Sequence, residues 1–169
     1  MRGTRFHPPL PRGDLLKRIQ INLPFPMLVE NLEAVLAMGL QPEIYFSGAT
    51  LDRLSRAEVE RASAALRERN IPTTFHGPFM DLNPGAVDDR IREVTLLRFR
   101  QVLELVPYFG PRTVVLHPGY DRWRYDGDVE GWLKNSLLTW KPLVREAEGL
   151  SVKLALENVF DDHPEPLRR

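Results

Sequence analysis

The sequence predicts an α/β fold in which parallel strands alternate with helices, and two observations support this prediction. Short apolar or β-branched runs, typical of buried strands, recur along the chain and are separated by longer stretches with helical spacing of apolar residues. Two of these runs end on His76 and His117 and a third ends on Glu157, at intervals of 41 and 40 residues. Such an interval is the length of one strand–helix unit, and right-handed crossovers then place all three strand ends at one edge of a parallel sheet.

The predicted elements follow one another in this alternating order. Residues 1–14 are rich in proline and lack periodicity, which predicts an N-terminal arm in front of one domain that spans 15–169. The predicted strands are residues 18–23, 43–46, 73–76, 114–117 and 154–159, and the predicted helices are residues 27–38, 55–69, 87–108 and 128–148. Gly39 is expected to close the first helix as a C-cap, and Ser55 with Glu58 fits a capping box that opens the second.

Helical spacing also predicts which faces of the last two helices point into the core. On the helix of residues 87–108 these are Ile91, Val94, Leu97, Val102 and Leu105, and on that of residues 128–148 they are Trp132, Leu133, Leu137, Trp140 and Val144.

Two architectures are compatible with this alternation, a doubly wound open sheet and a parallel (β/α) barrel of the TIM type. Neither a GxGxxG turn nor a GxxxxGK[ST] loop follows any strand, which removes support from the nucleotide-binding open sheets. Ligand-type residues at the ends of several different strands favour the barrel, because its active site is assembled at the carboxyl ends of the strands.

Composition limits the class of protein. The 169 residues, 43% of them hydrophobic, suffice for one domain with a proper core. Lys and Arg number 23, as do Asp and Glu, and the resulting zero net charge argues against a nucleic-acid partner. The absence of cysteine is compatible with a reducing compartment, and we expect a cytoplasmic protein. No apolar run reaches the roughly 20 residues of a membrane span, so we expect no membrane partner.

The three strand ends carry residues that bind metals in proteins. Two imidazoles and a carboxylate at one edge are a reasonable ligand set for a divalent ion such as Zn²⁺ or Mn²⁺. Glu157 directly follows an apolar run, and a carboxylate buried there would be costly unless it were paired or bound to metal. Asn158 could orient Glu157 or merely cap the turn.

Other residues are candidates for contact with a substrate. Asn22 on the first strand and Glu43 on the second could line the interior, although Glu43 could equally face a helix. Trp123 lies in an aromatic and basic loop at the same end as His117. It could close over a sugar ring or stack on a base, or it could simply cover the rim of the barrel.

Three motifs resemble a known family. His76–Leu82, His117–Tyr120 and Leu156–Asn158 resemble the third, fourth and fifth strand ends of the xylose-isomerase-like barrels. This superfamily contains sugar isomerases and epimerases, inosose dehydratase-like enzymes and the endonuclease IV group. The resemblance implies that His76, His117 and Glu157 are metal-site residues, and that Glu157 is also the acid/base of an epimerase.

The resemblance covers five strands of the family's eight, from about residue 17 to 169. The family's remaining ligands come from strands six to eight, so we expect an incomplete barrel of five strand–helix units. We expect this fragment either to associate through its open sheet edges or to depend on a second polypeptide that completes the barrel. The leading functional hypothesis is a divalent-metal-dependent isomerase or epimerase of a sugar, sugar phosphate or polyol, inactive on its own. The alternatives are an endonuclease IV-like zinc phosphodiesterase acting on abasic DNA and a non-catalytic scaffold remnant.

Overall fold

Five parallel strands form one sheet in the order of the sequence, as a computed structural model shows for residues 19–158 and 165–168. The strands are β1 Ile21–Pro24, β2 Pro42–Tyr45, β3 Thr74–His76, β4 Thr113–Leu116 and β5 Lys153–Leu156. The helices are α1 Phe25–Glu30, α2 Leu32–Met38, α3 Gly48–Leu51, α4 Arg56–Glu68, α5 Asp89–Leu103, α6 Val106–Phe109, α7 Val129–Gly149 and α8 Glu165–Arg168. The predicted α/β class with a parallel sheet is therefore confirmed, while the predicted arm of residues 1–14 lies outside the described residues.

The region after β1 differs from its prediction as one helix. The helix begins earlier, at Phe25, because Pro26 is tolerated in a first helical turn, where its missing N–H has no helical partner to lose. It is then interrupted at Asn31, whose side chain donates a hydrogen bond to the carbonyl oxygen of Met27 at 2.9 Å. Gly39 closes α2 in the left-handed conformation (φ 63°), as predicted.

The capping box predicted for α4 is wrong in its hydrogen bonding. Ser55 is the N-cap of α4, but its side chain accepts no hydrogen bond from the helix. Side chains do cap three other helices, where Ser47, Asp88 and Asp128 accept from the backbone N–H groups at the starts of α3, α5 and α7.

The core lies between the sheet and the helices. It includes strand residues that are almost fully buried, namely Ile44, Phe75, Val114 and Leu116, together with Phe46 just after β2. These positions alternate along each strand with residues on the opposite face, as expected for a sheet that has its helices on one side.

The predicted core faces of the two long helices are partly wrong. Ile91, Val94 and Leu97 of α5 and Leu137 and Val144 of α7 are exposed, although Val102, Leu105 and Trp132 are buried as predicted. Small polar residues occupy the buried faces instead, among them Thr95, Ser136 and Thr139. Thr95 and Thr139 donate to the carbonyl oxygens of Ile91 and Pro84 at 2.7 and 2.8 Å, so burial leaves their hydroxyls satisfied.

The face of the sheet opposite the core carries polar residues in rows. Strand pairing aligns Asn22 with Glu43, and Glu43 with Thr74. Two residues further along, one row joins Pro24, Tyr45, His76, Val115 and Ala155. In a barrel this is the inner face, and its carboxyl end is where the site residues lie.

In the part of the chain that the structure describes, β1 pairs with β2 alone and β5 with β4 alone. Each therefore has one free edge, and self-association through these edges stays a prediction. No helix within residues 19–158 or 165–168 is both long and apolar enough to cross a membrane.

Candidate metal centre

His76 is the last residue of β3, and its ring is held in one orientation. Its Nδ1 lies 2.8 Å from the carbonyl oxygen of Gly77, which can only accept, so Nδ1 carries the proton of the neutral ring. The other nitrogen, Nε2, then has a free lone pair. This arrangement is the one in which histidine binds metal ions in proteins.

Gly77 allows the ends of β3 and β4 to approach each other closely. Its N–H donates to the carbonyl oxygen of Val115 at 2.9 Å, which extends the pairing of the two strands beyond His76. A Cβ at this position would lie 2.4 Å from Cδ2 of Leu116, a buried core atom. The glycine in the His-Gly-Pro motif is therefore required by packing against β4.

His76, His117 and Glu157 come together at the carboxyl ends of β3, β4 and β5. Nε2 of His76 lies 3.3 Å from Nε2 of His117 and 3.1 Å from Oε2 of Glu157, and Nε2 of His117 lies 3.6 Å from the same oxygen. The backbone N–H of Glu157 donates to the carbonyl oxygen of Leu116 at 2.9 Å, so the pairing of β5 with β4 extends to Glu157 and fixes its backbone.

The chemistry of these three atoms fits a cation. When Nδ1 carries the single proton of a neutral ring, Nε2 of His76 is an acceptor, as is Oε2 of Glu157. A cation among the three atoms would bind both. All three ligand atoms lie within 4.8 Å of one another, and an N, N, O set of this kind suits Zn²⁺ or Mn²⁺.

The environment keeps His117 ready to act as a ligand. Burial lowers the pKa of the His117 imidazole below its usual 6.5, and the neighbouring His76 lowers it further, while Glu157 partly opposes both effects. The ring is therefore neutral at pH 7. The side chain of Glu157 is 49% exposed, so solvent reaches its carboxylate.

Two aromatic side chains pack against the imidazoles, and sequence reasoning assigned neither of them a role. Phe79 stacks on His117 with ring centres 4.5 Å apart and an interplanar angle of 13°. Phe79 and Tyr45 also each pack roughly perpendicular to the His76 ring, with ring centres 5.6 Å apart. Both aromatics lie close to strand ends, Tyr45 in the same row as His76 and Phe79 three residues after it, which is the only sequence signal for them.

A cavity of about 250 Å³ adjoins His117 and Glu157. Its polar lining also includes Asp81, Asp121 and Arg124, and its remaining lining residues are Phe79, Met80, Leu82, Pro118, Gly119 and Tyr120. Two loops therefore form the walls, one after β3 and one after β4.

The residues predicted to contact substrate are not in this cavity. Asn22 donates a hydrogen bond to Oε1 of Glu43 at 3.0 Å, one row below His76 on the inner face. Asn158 is exposed beside Glu157. Trp123 is 93% exposed, so it does not cover the rim, whereas Arg124 from the same loop does line the cavity. The substrate roles of Asn22, Glu43, Trp123 and Asn158 stay predictions.

The sheet is parallel, has helices on one face and carries candidate ligands at the carboxyl ends of three strands. This combination defines a protein of the (β/α)-barrel class. The chain belongs to the xylose isomerase-like TIM barrel family, whose sequence model matches residues 35–168. The family predicted from the three motifs is thus confirmed.

Individual relatives agree with this assignment. The uncharacterized protein MJ1311 of Methanocaldococcus jannaschii is 34% identical over 95 residues, which are 56% of this chain and 32% of that protein. The TTHB071 protein from Thermus thermophilus, from a crystal soaked with ZnCl₂, has a TM-score of 0.69 and 28% identity over 88% of this chain and 59% of its own. A D-tagatose 3-epimerase-like protein has a TM-score of 0.70 and 25% identity over 88% of this chain and 58% of its own. The chain therefore spans less than two thirds of the length of each.

Proposed function

We propose that this chain carries the metal-binding part of a divalent-metal-dependent sugar isomerase or epimerase. The observation that supports the proposal is the convergence of His76, His117 and Glu157 at the carboxyl ends of neighbouring strands. When bound there, Zn²⁺ or Mn²⁺ would polarise a carbonyl or hydroxyl oxygen of the sugar. The similarity to a D-tagatose 3-epimerase-like protein favours a sugar as substrate.

Glu157 is the residue of this chain that we propose moves a proton. Its Oε2 faces the two imidazoles, while its Oε1 makes no hydrogen bond to the described residues. Oε1 is therefore available to take a proton from the carbon next to a carbonyl and to return it. His76 and His117, held by Gly77 and Phe79, position the oxygen-bearing end of the substrate.

Metal titration tests the ligand set. Zn²⁺ and Mn²⁺ are titrated by calorimetry into the unaltered chain, into Glu157→Gln and into Glu93→Gln, a control on the exposed face of α5. We expect Glu157→Gln to weaken binding at least about tenfold, since it removes a charged ligand, and the control to leave it unchanged. Equal affinity for all three proteins would exclude Glu157 from the site.

The competing function is cleavage of abasic DNA with a zinc-bound water as nucleophile. Phosphate binding recruits Lys and Arg, whereas the net charge of this chain is zero and Arg124 is the one cationic side chain that lines the described cavity. Fluorescence polarisation with an abasic duplex, set beside calorimetric titration of D-fructose into the same metal-loaded protein, separates the two. Tight, salt-dependent binding of the duplex without binding of the ketose would favour the nuclease.

A further inference from the structure

The cavity beside the candidate metal centre has more carboxylates than cations in its described wall. Asp81, Asp121 and Glu157 line it together with Arg124. Neither Asp81 nor Asp121 belongs to the group of ligand atoms around His76. Of the three carboxylates, only Glu157 would therefore bind the metal ion. The part of the wall away from the metal centre therefore has two negatively charged carboxylates and one positively charged guanidinium.

Asp121 is held so that part of its carboxylate is free for a ligand. Its Oδ1 accepts from the backbone N–H groups of Trp123 and Arg124 at 2.9 and 3.4 Å. These two hydrogen bonds fix the side chain through Oδ1 and leave Oδ2 without a partner among the described residues. A fixed carboxylate oxygen of this kind is a good acceptor for a sugar hydroxyl.

Asp81 presents a second free carboxylate from the opposite loop. Its backbone is left-handed (φ 60°), and its side chain makes no hydrogen bond or ion pair within the described part of the chain. Arg124 also has no ion-pair partner there, although it lines the same wall. A phosphate group entering the cavity would meet one guanidinium and two negative charges, whereas a hydroxyl would meet two acceptors and one donor.

We propose that this cavity binds an uncharged polyhydroxy sugar and discriminates against its phosphorylated form, with Asp81 and Asp121 as the residues that determine the specificity. The inference rests on the proposed function, because it names the substrate class of the same site. The volume of about 250 Å³ is below that of sites for drug-sized ligands and suits a monosaccharide.

The test compares D-fructose with D-fructose 6-phosphate as probes of the Mn²⁺-loaded chain, by calorimetric titration. The variant is Asp81→Asn with Asp121→Asn. Asparagine tolerates the left-handed backbone at position 81 and keeps the Oδ1 acceptor at 121, so both loops are preserved. The control is Asp126→Asn, which removes one charge from the same loop, is also left-handed (φ 49°) and lies outside the cavity lining.

We expect the unaltered chain and the control to bind fructose about tenfold more tightly than its phosphate. The double variant should lose this preference, because it removes the charge repulsion between the two carboxylates and the phosphate and keeps a hydrogen-bonding oxygen at each position. Equal or tighter binding of the phosphate by the unaltered chain, binding of neither sugar, or an unchanged preference in the double variant would overturn the inference.

The two proposals fail in different experiments. A chain that binds metal through Glu157 but prefers the phosphate overturns the inference alone. A chain that keeps the preference for fructose but binds Zn²⁺ and Mn²⁺ equally well with Gln at position 157 overturns the proposed function alone.

Discussion

Nε2 of His76 lies 3.1 Å from Oε2 of Glu157, although 81 residues separate them in the sequence. The pairing of β3 with β4 and of β4 with β5 produces this contact, because His76, Val115 and Ala155 form one row and Glu157 follows two residues later. Because Nδ1 of His76 is bonded to the carbonyl oxygen of Gly77, its Nε2 faces the carboxylate, and the sheet thus brings together two groups that a single cation can bind.

Metal binding should depend on pH through His117. Burial and the neighbouring His76 lower the pKa of His117 below 6.5, and only the neutral imidazole can bind a metal ion. Protonation therefore does not compete at pH 7 and begins to compete as the pH falls below 6.5. Calorimetric affinity for Zn²⁺ should be nearly constant between about pH 8 and about pH 6.5 and should fall at lower pH, by up to about tenfold per pH unit for each proton displaced. A constant affinity down to about pH 5 would contradict the involvement of the imidazoles.

Phe79 should support metal binding without being a ligand. Its ring stacks on His117 at 4.5 Å, and Phe79→Leu would remove this flat contact while keeping an apolar side chain in the wall. We expect a several-fold loss of affinity for Zn²⁺, since side chains that orient a ligand contribute about 10–100-fold at most. Met80→Leu, at an exposed position of the same loop, is the matched control and should leave the affinity unchanged. Equal affinities for both variants would show that the stack is irrelevant.

The site was largely predictable from sequence because it depends on strand ends. Residues at the ends of successive parallel strands must meet at one edge, so His76, His117 and Glu157 could be grouped from their spacing alone. The cavity walls were not predictable in the same way. They come from loops, where Arg124 lines the cavity and Trp123 does not, and no periodicity decides which of two adjacent loop side chains turns inward.

The helix faces show where hydrophobic periodicity misleads. Thr95 and Thr139 are buried with their hydroxyls bonded to backbone carbonyl oxygens, while Ile91 and Leu137 are exposed. A pattern that scores only apolar residues assigns the wrong face when short polar side chains can satisfy their own hydrogen bonds.

Gly85 should be intolerant of any side chain, because it lies against α7. A Cβ there would lie 2.3 Å from Cδ1 of Trp132 and 2.4 Å from Oγ of Ser136, and both residues are buried. Gly85→Ala should lower the free energy of unfolding by about 1–3 kcal/mol, as measured by urea denaturation. Gly149→Ala is the matched control: nothing lies within 4 Å of its added Cβ, and alanine should stabilise the end of α7 slightly. Equal effects of the two substitutions would rule out the close packing of the loop on α7.

Gly77→Ala should disturb both packing and metal binding, because the added Cβ would lie 2.4 Å from Cδ2 of Leu116. Leu116 is fully buried and cannot easily move away, so the strain should fall on the end of β3, where His76 is the last residue. We expect a loss of about 1–3 kcal/mol in the free energy of unfolding and a weaker affinity for Zn²⁺. Leu116→Val shortens the obstructing side chain at a cost of about 1 kcal/mol and should leave the affinity nearly unchanged.

The double variant Gly77→Ala with Leu116→Val distinguishes this packing conflict from a general loss of stability. If the conflict between Cβ of residue 77 and Cδ2 of Leu116 is what displaces His76, the second substitution relieves it. The double variant should then bind Zn²⁺ more tightly than Gly77→Ala alone, although it has also lost a methylene group from the core. Such non-additivity is expected only for residues in direct contact. If the two losses of affinity simply add, the glycine of the His-Gly-Pro motif is not required for the approach of β3 to β4, and the position of His76 must depend on its hydrogen bond to the carbonyl oxygen of residue 77 instead.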